Sequence, residues 1–312
     1  MLIKPRALRN KDRVAIVAPA SRPAKPSIVA RAKRIVHEMG FEPVLGRHLF
    51  STRGYMAGSA EERLSDFCQA LTDPSIHAVW AITGGFGSIH LLDKLPYESF
   101  KENPKIVLGC DDVSHILLAL YKKSGVVTLS APNLDRIDNK EIFERVKKAL
   151  TSCDHPHELV HRDKLLDDFC YSPVEGFGKG KVIACNLTAL ISLFGTPYEP
   201  DIEGAVLLLE DRSERNDILD RWLTTLYISG KLSHVAAVAF GQLEDCDSRG
   251  SFNMLSFEEL ACDRLASMRI PCCFDLPFGQ SADTFVVPIG VTGILDTAKG
   301  KLSFTESALS KD

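Results

Sequence analysis

A chain of 312 residues with 45% hydrophobic content and a formal net charge of −4 is long enough to bury more than one core, and two α/β domains are the expected division. Its 37 Lys and Arg are scattered among 41 Asp and Glu and form no basic face, which argues against nucleic acid as the main partner. The opening Met1-Leu2-Ile3-Lys4-Pro5-Arg6 lacks the apolar stretch of about 7 to 15 residues that marks a signal peptide, and no run approaches the roughly 18 needed to span a bilayer. A cytoplasmic protein with no membrane partner is expected.

In chain order, Val14 to Pro19 reads as a short apolar strand and Pro26 to Gly40 as a helix closed by glycine. Phe41 to Val44 is the next strand, Ser59 to Leu71 a helix exposing Glu61, Glu62 and Arg63, and Ala78 to Ile82 a third strand. Such alternation predicts a parallel sheet with helices on both faces and ligands at the carboxyl ends of the strands. At that edge lies Thr83-Gly84-Gly85-Phe86-Gly87-Ser88, a turn whose amides can form a nest for a carboxylate, an oxyanion or a phosphate. Its glycine spacing matches neither a dinucleotide nor a P-loop fingerprint, so the phosphate version is weak.

The segment Lys105 to Leu120 is the most informative. An apolar run ends at Gly109 while Ile116, Leu117 and Leu120 continue at helical spacing, so the chain must turn near residues 110 to 112. Asp111 then stands at the apex of a strand-to-helix elbow, where hydrolases mount nucleophiles. One of Asp111 and Asp112 is expected to cap the helix, leaving the other to project into a cleft. His115, four residues after Asp111, can pair with it across one helical turn.

Val126 to Leu129 and a helix from Asn139 to Leu150 complete a first domain at 1–150. Thr151 to Ser172 is polar and irregular, and 151–175 reads as a linker. A second domain at 176–312 holds Lys181 to Ala184, a helix from Asn186 to Gly195, the strand Ala205 to Glu210, a helix from Asn216 to Ser229, the strand Val235 to Phe240 and a closing region of short strands. The fold class is therefore α/β: a parallel-sheet, flavodoxin-like domain followed by an α/β domain rich in short strands. The nine cysteines are dispersed apart from Cys272-Cys273, which suits small buried hydrophobes. Trp80 and Trp222 read as core or dimer contacts. The histidines show no metal-binding grouping, and neither metal nor cofactor is expected.

Several motifs in one order make a resemblance: Val14 to Ser21, Tyr55-Met56-Ala57-Gly58, Glu62-Arg63, Gly84-Gly85-Phe86-Gly87 leading into Leu91-Leu92-Asp93, and the Gly109 elbow. It continues through Asn186-Leu187, Gly195-Thr196-Pro197-Tyr198-Glu199-Pro200, Leu209-Glu210-Asp211, Asp220-Arg221 and Leu276-Pro277-Phe278-Gly279. Over nearly its whole length the chain resembles the LD-carboxypeptidase family, serine peptidases that include muramoyltetrapeptide carboxypeptidases and microcin self-immunity proteins. In that family the elbow reads Gly-Tyr-Ser-Asp, a Leu-Glu-Asp motif supplies a glutamate, and a histidine follows Leu-Pro-Phe-Gly, giving a Ser-Glu-His triad. Carried over by position, the nucleophile falls on Asp111, the orienting acid on Glu210 and the base on Gln280. Gly84 and Gly85 fall on the oxyanion turn, Thr83 stands where an arginine is common, and Asp112 keeps the family's aspartate.

Gln280 cannot accept and return a proton near neutral pH, so serine-peptidase chemistry is not expected. Three readings stay open: a repurposed enzyme using Asp111 and Glu210 as a carboxylate pair on a small peptide-like or acyl ligand, a binding protein without turnover, and an amide hydrolase using carboxylate-activated water. The resemblance places Gly84, Gly85, Asp112 and Asn186 at the ligand and implies a homodimer, and the spacing of His115 from Asp111 adds His115 as a ligand contact.

Overall fold

The computed structural model of the chain describes residues 2–153, 158–160, 172–246, 255–279 and 283–311. In chain order the elements are β1 (Arg13–Val17), α1 (Pro26–Glu38), β2 (Glu42–Leu45), α2 (Ala60–Thr72), β3 (Ile76–Ala81), α3 (Tyr97–Glu102), β4 (Ile106–Gly109), α4 (Ser114–Ser124), β5 (Thr128–Ser130) and α5 (Lys140–Thr151). There follow β6 (Glu158–Val160), β7 (Phe177–Asn186), α6 (Leu187–Ser192), β8 (Val206–Arg212), α7 (Asn216–Ile228), β9 (Ala237–Glu244), α8 (Phe257–Met268), β10 (Cys272–Cys273), β11 (Val287–Ile289), β12 (Thr292–Asp296) and β13 (Lys301–Phe304). The chain divides into two compact units, the first made of Met1–Cys153, Ala282–Gly290 and Ala308–Asp312, the second of Asp154–Ser281 and Val291–Ser307.

The first unit is a six-stranded sheet in the order β11-β5-β4-β3-β1-β2. Its five sequential strands are parallel, and β11 adds antiparallel to β5. The order 2-1-3-4-5 is that of flavodoxin-like doubly wound sheets, in which strand order reverses between β1 and β3 and ligands bind beside that reversal. The sequence dictates much of this. Ser59 and Glu62 form a reciprocal capping box at the start of α2, and Pro26 opens α1 where its missing amide costs nothing. β4 is buried at all four positions, as a central parallel strand must be. β2, the edge strand, is partly exposed and carries Pro43, which an interior strand would exclude.

The second unit is a seven-stranded sheet in the order β10-β9-β8-β7-β12-β13-β6. β7 to β10 are parallel, whereas β12, β13 and β6 run antiparallel. Thus both sheets are mixed and the fold class is α/β.

Four details differ from the sequence reading. Residues 282–290 and 308–312 belong to the first unit and not to a continuous second domain, because β11 pairs with β5 and Ser310 accepts from the Ala7 amide at 3.0 Å. The polar stretch after residue 151 contains β6; residues 154–157 and 161–171 lie outside the described residues. The closing region also holds α8, started by a Ser256–Glu259 capping box. Arg63 is 2% exposed and not on the outer face, since it shares the helical stripe of Phe67, Ala70 and Leu71. Trp80 is fully buried and donates its Nε1 proton to the Pro132 carbonyl at 2.9 Å, a core role. Among the described residues no helix is long and apolar enough to cross a membrane.

Candidate active site

In the first unit the elbow forms where the buried strand β4 gives way to a single 3-10 turn, Asp111–Val113, that runs into α4. Cys110 is extended, and its amide donates to the buried Asn133 Oδ1 at 3.2 Å, which anchors the strand end. Asp111 has φ of 61°, in the left-handed region. Such a conformation costs an L-residue about 1–2 kcal/mol, although aspartate tolerates it better than most. A left-handed residue on a sharp strand-to-helix turn is the seat from which α/β hydrolases present a nucleophile.

Facing the elbow is the turn after β3. The Gly85 amide donates to Asp111 Oδ2 at 2.8 Å, and a Cβ on Gly84 would stand only 2.3 Å from that same oxygen. Gly85 has φ of 104°, and a Cβ there would strike Ser21 Oγ at 2.1 Å. The two neighbouring glycines are therefore needed for different reasons, one by the carboxylate beside it and one by its own dihedral as well as by Ser21. Ser21, in the loop after β1, also accepts the Phe86 amide at 3.3 Å, and its own amide donates to the Gly84 carbonyl at 3.0 Å. Buried Arg63 closes the arrangement by donating from Nη1 to the carbonyls of Pro19 and Gly87, each at 2.6 Å.

Asp112 points into the protein and is 6% exposed. Its Oδ2 accepts the Ser88 amide at 2.7 Å, and its carbonyl accepts the Ser88 hydroxyl at 2.5 Å. His115 Nδ1 lies 2.8 Å from the Asp112 carbonyl oxygen and 3.4 Å from its Oδ1. Burial works against the Asp112 charge, but hydrogen bonds from His115 and Ser88 outweigh it and hold the carboxyl below its ordinary range. The expected capping role is corrected here. The N-cap residues of the 3-10 turn and of α4, Cys110 and Val113, make no side-chain cap, and both aspartates reach across to the glycine turn. With Asp111 in the left-handed region, both carboxylates accept from amides of the glycine turn.

In the second unit Glu210 lies near the end of β8 and is 1% exposed. It aligns with Asn186 on β7, while the register against β9 shifts between Leu209 and Asp211. A bulge at this point frees a residue from strict alternation and re-aims its side chain. Gly279, with φ of 102°, packs so closely that a Cβ would be 3.0 Å from Glu210 Cβ, which brings Leu276-Pro277-Phe278-Gly279 beside the acid. Gln280, the next residue, lies outside the described residues. Asp211 accepts from Asn186 Nδ2 at 3.0 Å, from the Thr188 amide at 3.0 Å and from its hydroxyl at 2.8 Å. Burial nevertheless dominates and pushes the Asp211 carboxyl up to about 6. Asn186 caps α6 through the Ala189 amide at 2.9 Å.

Each unit thus holds part of the expected set: Asp111, Asp112, His115, Gly84 and Gly85 converge in the first, Glu210 and Asn186 in the second. Sequence reasoning gave no role to Ser21, Ser88 or Arg63. Ser21 lay in view at the carboxyl edge of the sheet, and the period of α2 puts Arg63 on its buried stripe.

A doubly wound sheet bearing a left-handed elbow against a glycine turn defines an α/β protein of the hydrolase-elbow kind. More narrowly, the chain belongs to the LD-carboxypeptidase family: residues 14–131 match the LD-carboxypeptidase N-terminal domain and residues 179–295 its C-terminal domain. It is 30% identical to the murein tetrapeptide carboxypeptidase of Pseudomonas aeruginosa over 91% of this chain and 93% of that one. The microcin C7 self-immunity protein MccF of Escherichia coli is 26% identical, with 95% and 92% covered. Among solved structures, MccF in complex with aspartyl sulfamoyl adenosine superposes with a TM-score of 0.88 at 24% identity, covering 99% of this chain and 100% of that one. The muramoyltetrapeptide carboxypeptidase of Oxalobacter formigenes superposes at 0.80 with 26% identity, covering 94% and 97%.

Proposed function

We propose that this chain is a divergent LD-carboxypeptidase-like enzyme acting on a small peptide-like or acyl substrate, with Asp111 and Glu210 serving as a carboxylate pair in place of the Ser-Glu-His triad. The observation that carries this is the left-handed Asp111 at the elbow, its Oδ2 fixed by the Gly85 amide at 2.8 Å. A left-handed strand-to-helix elbow is the kind of seat that presents a nucleophile, and here its occupant is an ionisable carboxyl group. One carboxylate can take a proton from the substrate and one carboxyl can return it, so proton transfer is the chemistry that Asp111 and Glu210 would divide between them. In this reading Gln280 completes the catalytic set and Gly84, Gly85, Asp112, His115 and Asn186 bind the substrate.

The relatives supply the probes: a murein tetrapeptide, and the aspartyl sulfamoyl adenosine that MccF binds. Turnover of either is expected to fall by about 100-fold or more in Asp111→Asn and in Glu210→Gln, the range of a lost general acid or base. Binding that persists unchanged in both variants, with no turnover in the parent, would establish instead a binding protein that has lost catalysis. Family analogy further gives a cytoplasmic homodimer, which sedimentation and fractionation test directly.

A further inference from the structure

The turn that the sequence offers as an anion nest already has its amides engaged. Gly85 donates to Asp111 Oδ2 at 2.8 Å, Phe86 to Ser21 Oγ at 3.3 Å, and Ser88 to Asp112 Oδ2 at 2.7 Å. Two of the three acceptors are carboxylates of the elbow itself. Resting on the reading that the elbow is where the ligand binds, we propose that Asp111 is a built-in occupant of the Gly85 amide, so that the ligand group meeting the elbow is a hydrogen-bond donor or a cation and not an oxyanion.

An oxyanion stabilised by this turn would have to sit about 2.7–3.1 Å from the Gly85 nitrogen. Asp111 Oδ2 holds that position, and Gly84 makes the fit possible, since even a methyl group there would collide with the oxygen. Bringing a second anion against a fixed carboxylate is disfavoured by like-charge repulsion. Asp112, by contrast, is engaged by Ser88 and His115 and lies in the field of buried Arg63. A glycine turn that would receive negative charge has become one that presents it. An amine, an ammonium or an amide N–H is then drawn to the elbow, and a tetrahedral anionic intermediate is repelled. Exchange of a proton with a nitrogen or hydroxyl of the ligand is open to such a site, and an oxyanion formed during turnover must be held by donors other than the Gly85 amide.

The test uses the full chain and two matched peptides, one carrying a phosphonate at the bond in question and the other a reduced amide, whose secondary amine is cationic. The parent protein is expected to bind the reduced amide about tenfold or more tightly than the phosphonate by calorimetry, a difference of about 1.4 kcal/mol. Asp111→Gly, which accepts the left-handed dihedral without strain, is expected to reverse that order. Equal or better phosphonate binding by the parent, or an order unchanged in the variant, overturns the proposal while leaving the elbow as the binding site. Should neither peptide bind either protein, the ligand-site reading fails, and the nest is judged alone by labelling glycine with nitrogen-15 and adding acetate. Movement of the Gly85 amide resonance in Asp111→Gly but not in the parent supports the built-in occupant. Movement in the parent, or none in the variant, refutes it.

Discussion

Replacing Gly84 by alanine puts one methyl group where the elbow leaves no space. The added Cβ would stand 2.3 Å from Asp111 Oδ2 and 2.8 Å from both Asp111 Cβ and Cγ. Rotation about χ1 moves the oxygen but not Asp111 Cβ, so the turn or the elbow backbone must shift. Overpacking of this kind costs about 1–3 kcal/mol. The Gly85–Asp111 hydrogen bond is lost as well; being solvent-accessible it contributes about 1 kcal/mol. Gly84→Ala should therefore destabilise the first unit by about 2–4 kcal/mol. Trp80, fully buried on β3, reports that unit by fluorescence in urea once Trp222 has been changed to phenylalanine. In an Asp111→Gly background the obstructing side chain is gone, and Gly84→Ala should cost less than about 1 kcal/mol, leaving most of its effect as coupling in the double-mutant cycle. An equal cost in both backgrounds would refute the contact and with it the geometry of the site.

Other expectations concern the supports. Asp112→Ala leaves the buried Ser88 amide without its acceptor and should cost about 3 kcal/mol by urea unfolding, while Asp112→Asn, which keeps an oxygen there, should cost less. Because the Asp112 carboxyl is lowered in the folded state, its stabilisation is present above the unfolded carboxylate range and is lost as pH falls below it, a loss that Asp112→Asn should abolish. Asp211 has the opposite sign. Its carboxyl is raised to about 6, so the stability it contributes is full below its unfolded value and lost as pH rises through 6. The difference in second-unit stability between parent and Asp211→Asn should accordingly fall by about 2–3 kcal/mol from pH 4 to pH 7. Arg63→Met removes both bonds that tie Pro19 to Gly87 and should cost about 2–4 kcal/mol, with faster amide exchange at Gly85 and Ser88 as the local readout.

The elbow was legible because two periodicities meet there: the fully apolar run to Gly109 suits only a buried strand, and Ile116, Leu117 and Leu120 only a helix. Which acid meets which amide was not legible. That depends on a single left-handed dihedral at Asp111, and aspartate is neither required at such a position nor excluded from it. The carboxyl edge of the first sheet could be placed from β/α alternation, so the glycine turn and Asp111 fell on the same side from the amino-acid pattern alone. Glu210 could be placed at the end of its strand, but the register shift beside it is a property of pairing with β9 and has no local signature. The helix Phe257–Met268 left a readable sign in Ser256 and Glu259, obscured by the short-strand character around it. Val287–Ile289 gave almost none, being three residues with a proline in the middle, the sort of strand that only an edge accepts.

That short strand governs the order in which the molecule can be made. Residues 282–290 complete the first sheet, yet they are synthesised after nearly all of the second unit. When the ribosome has released residue 153, β5 is still an open border, a template for pairing with the wrong chain. The amino-terminal half must wait through more than a hundred further residues of translation before its own last strand arrives. A nascent chain stalled before Val287, or a gene truncated there, would yield a first unit with that border exposed, and aggregation during expression is the expected result.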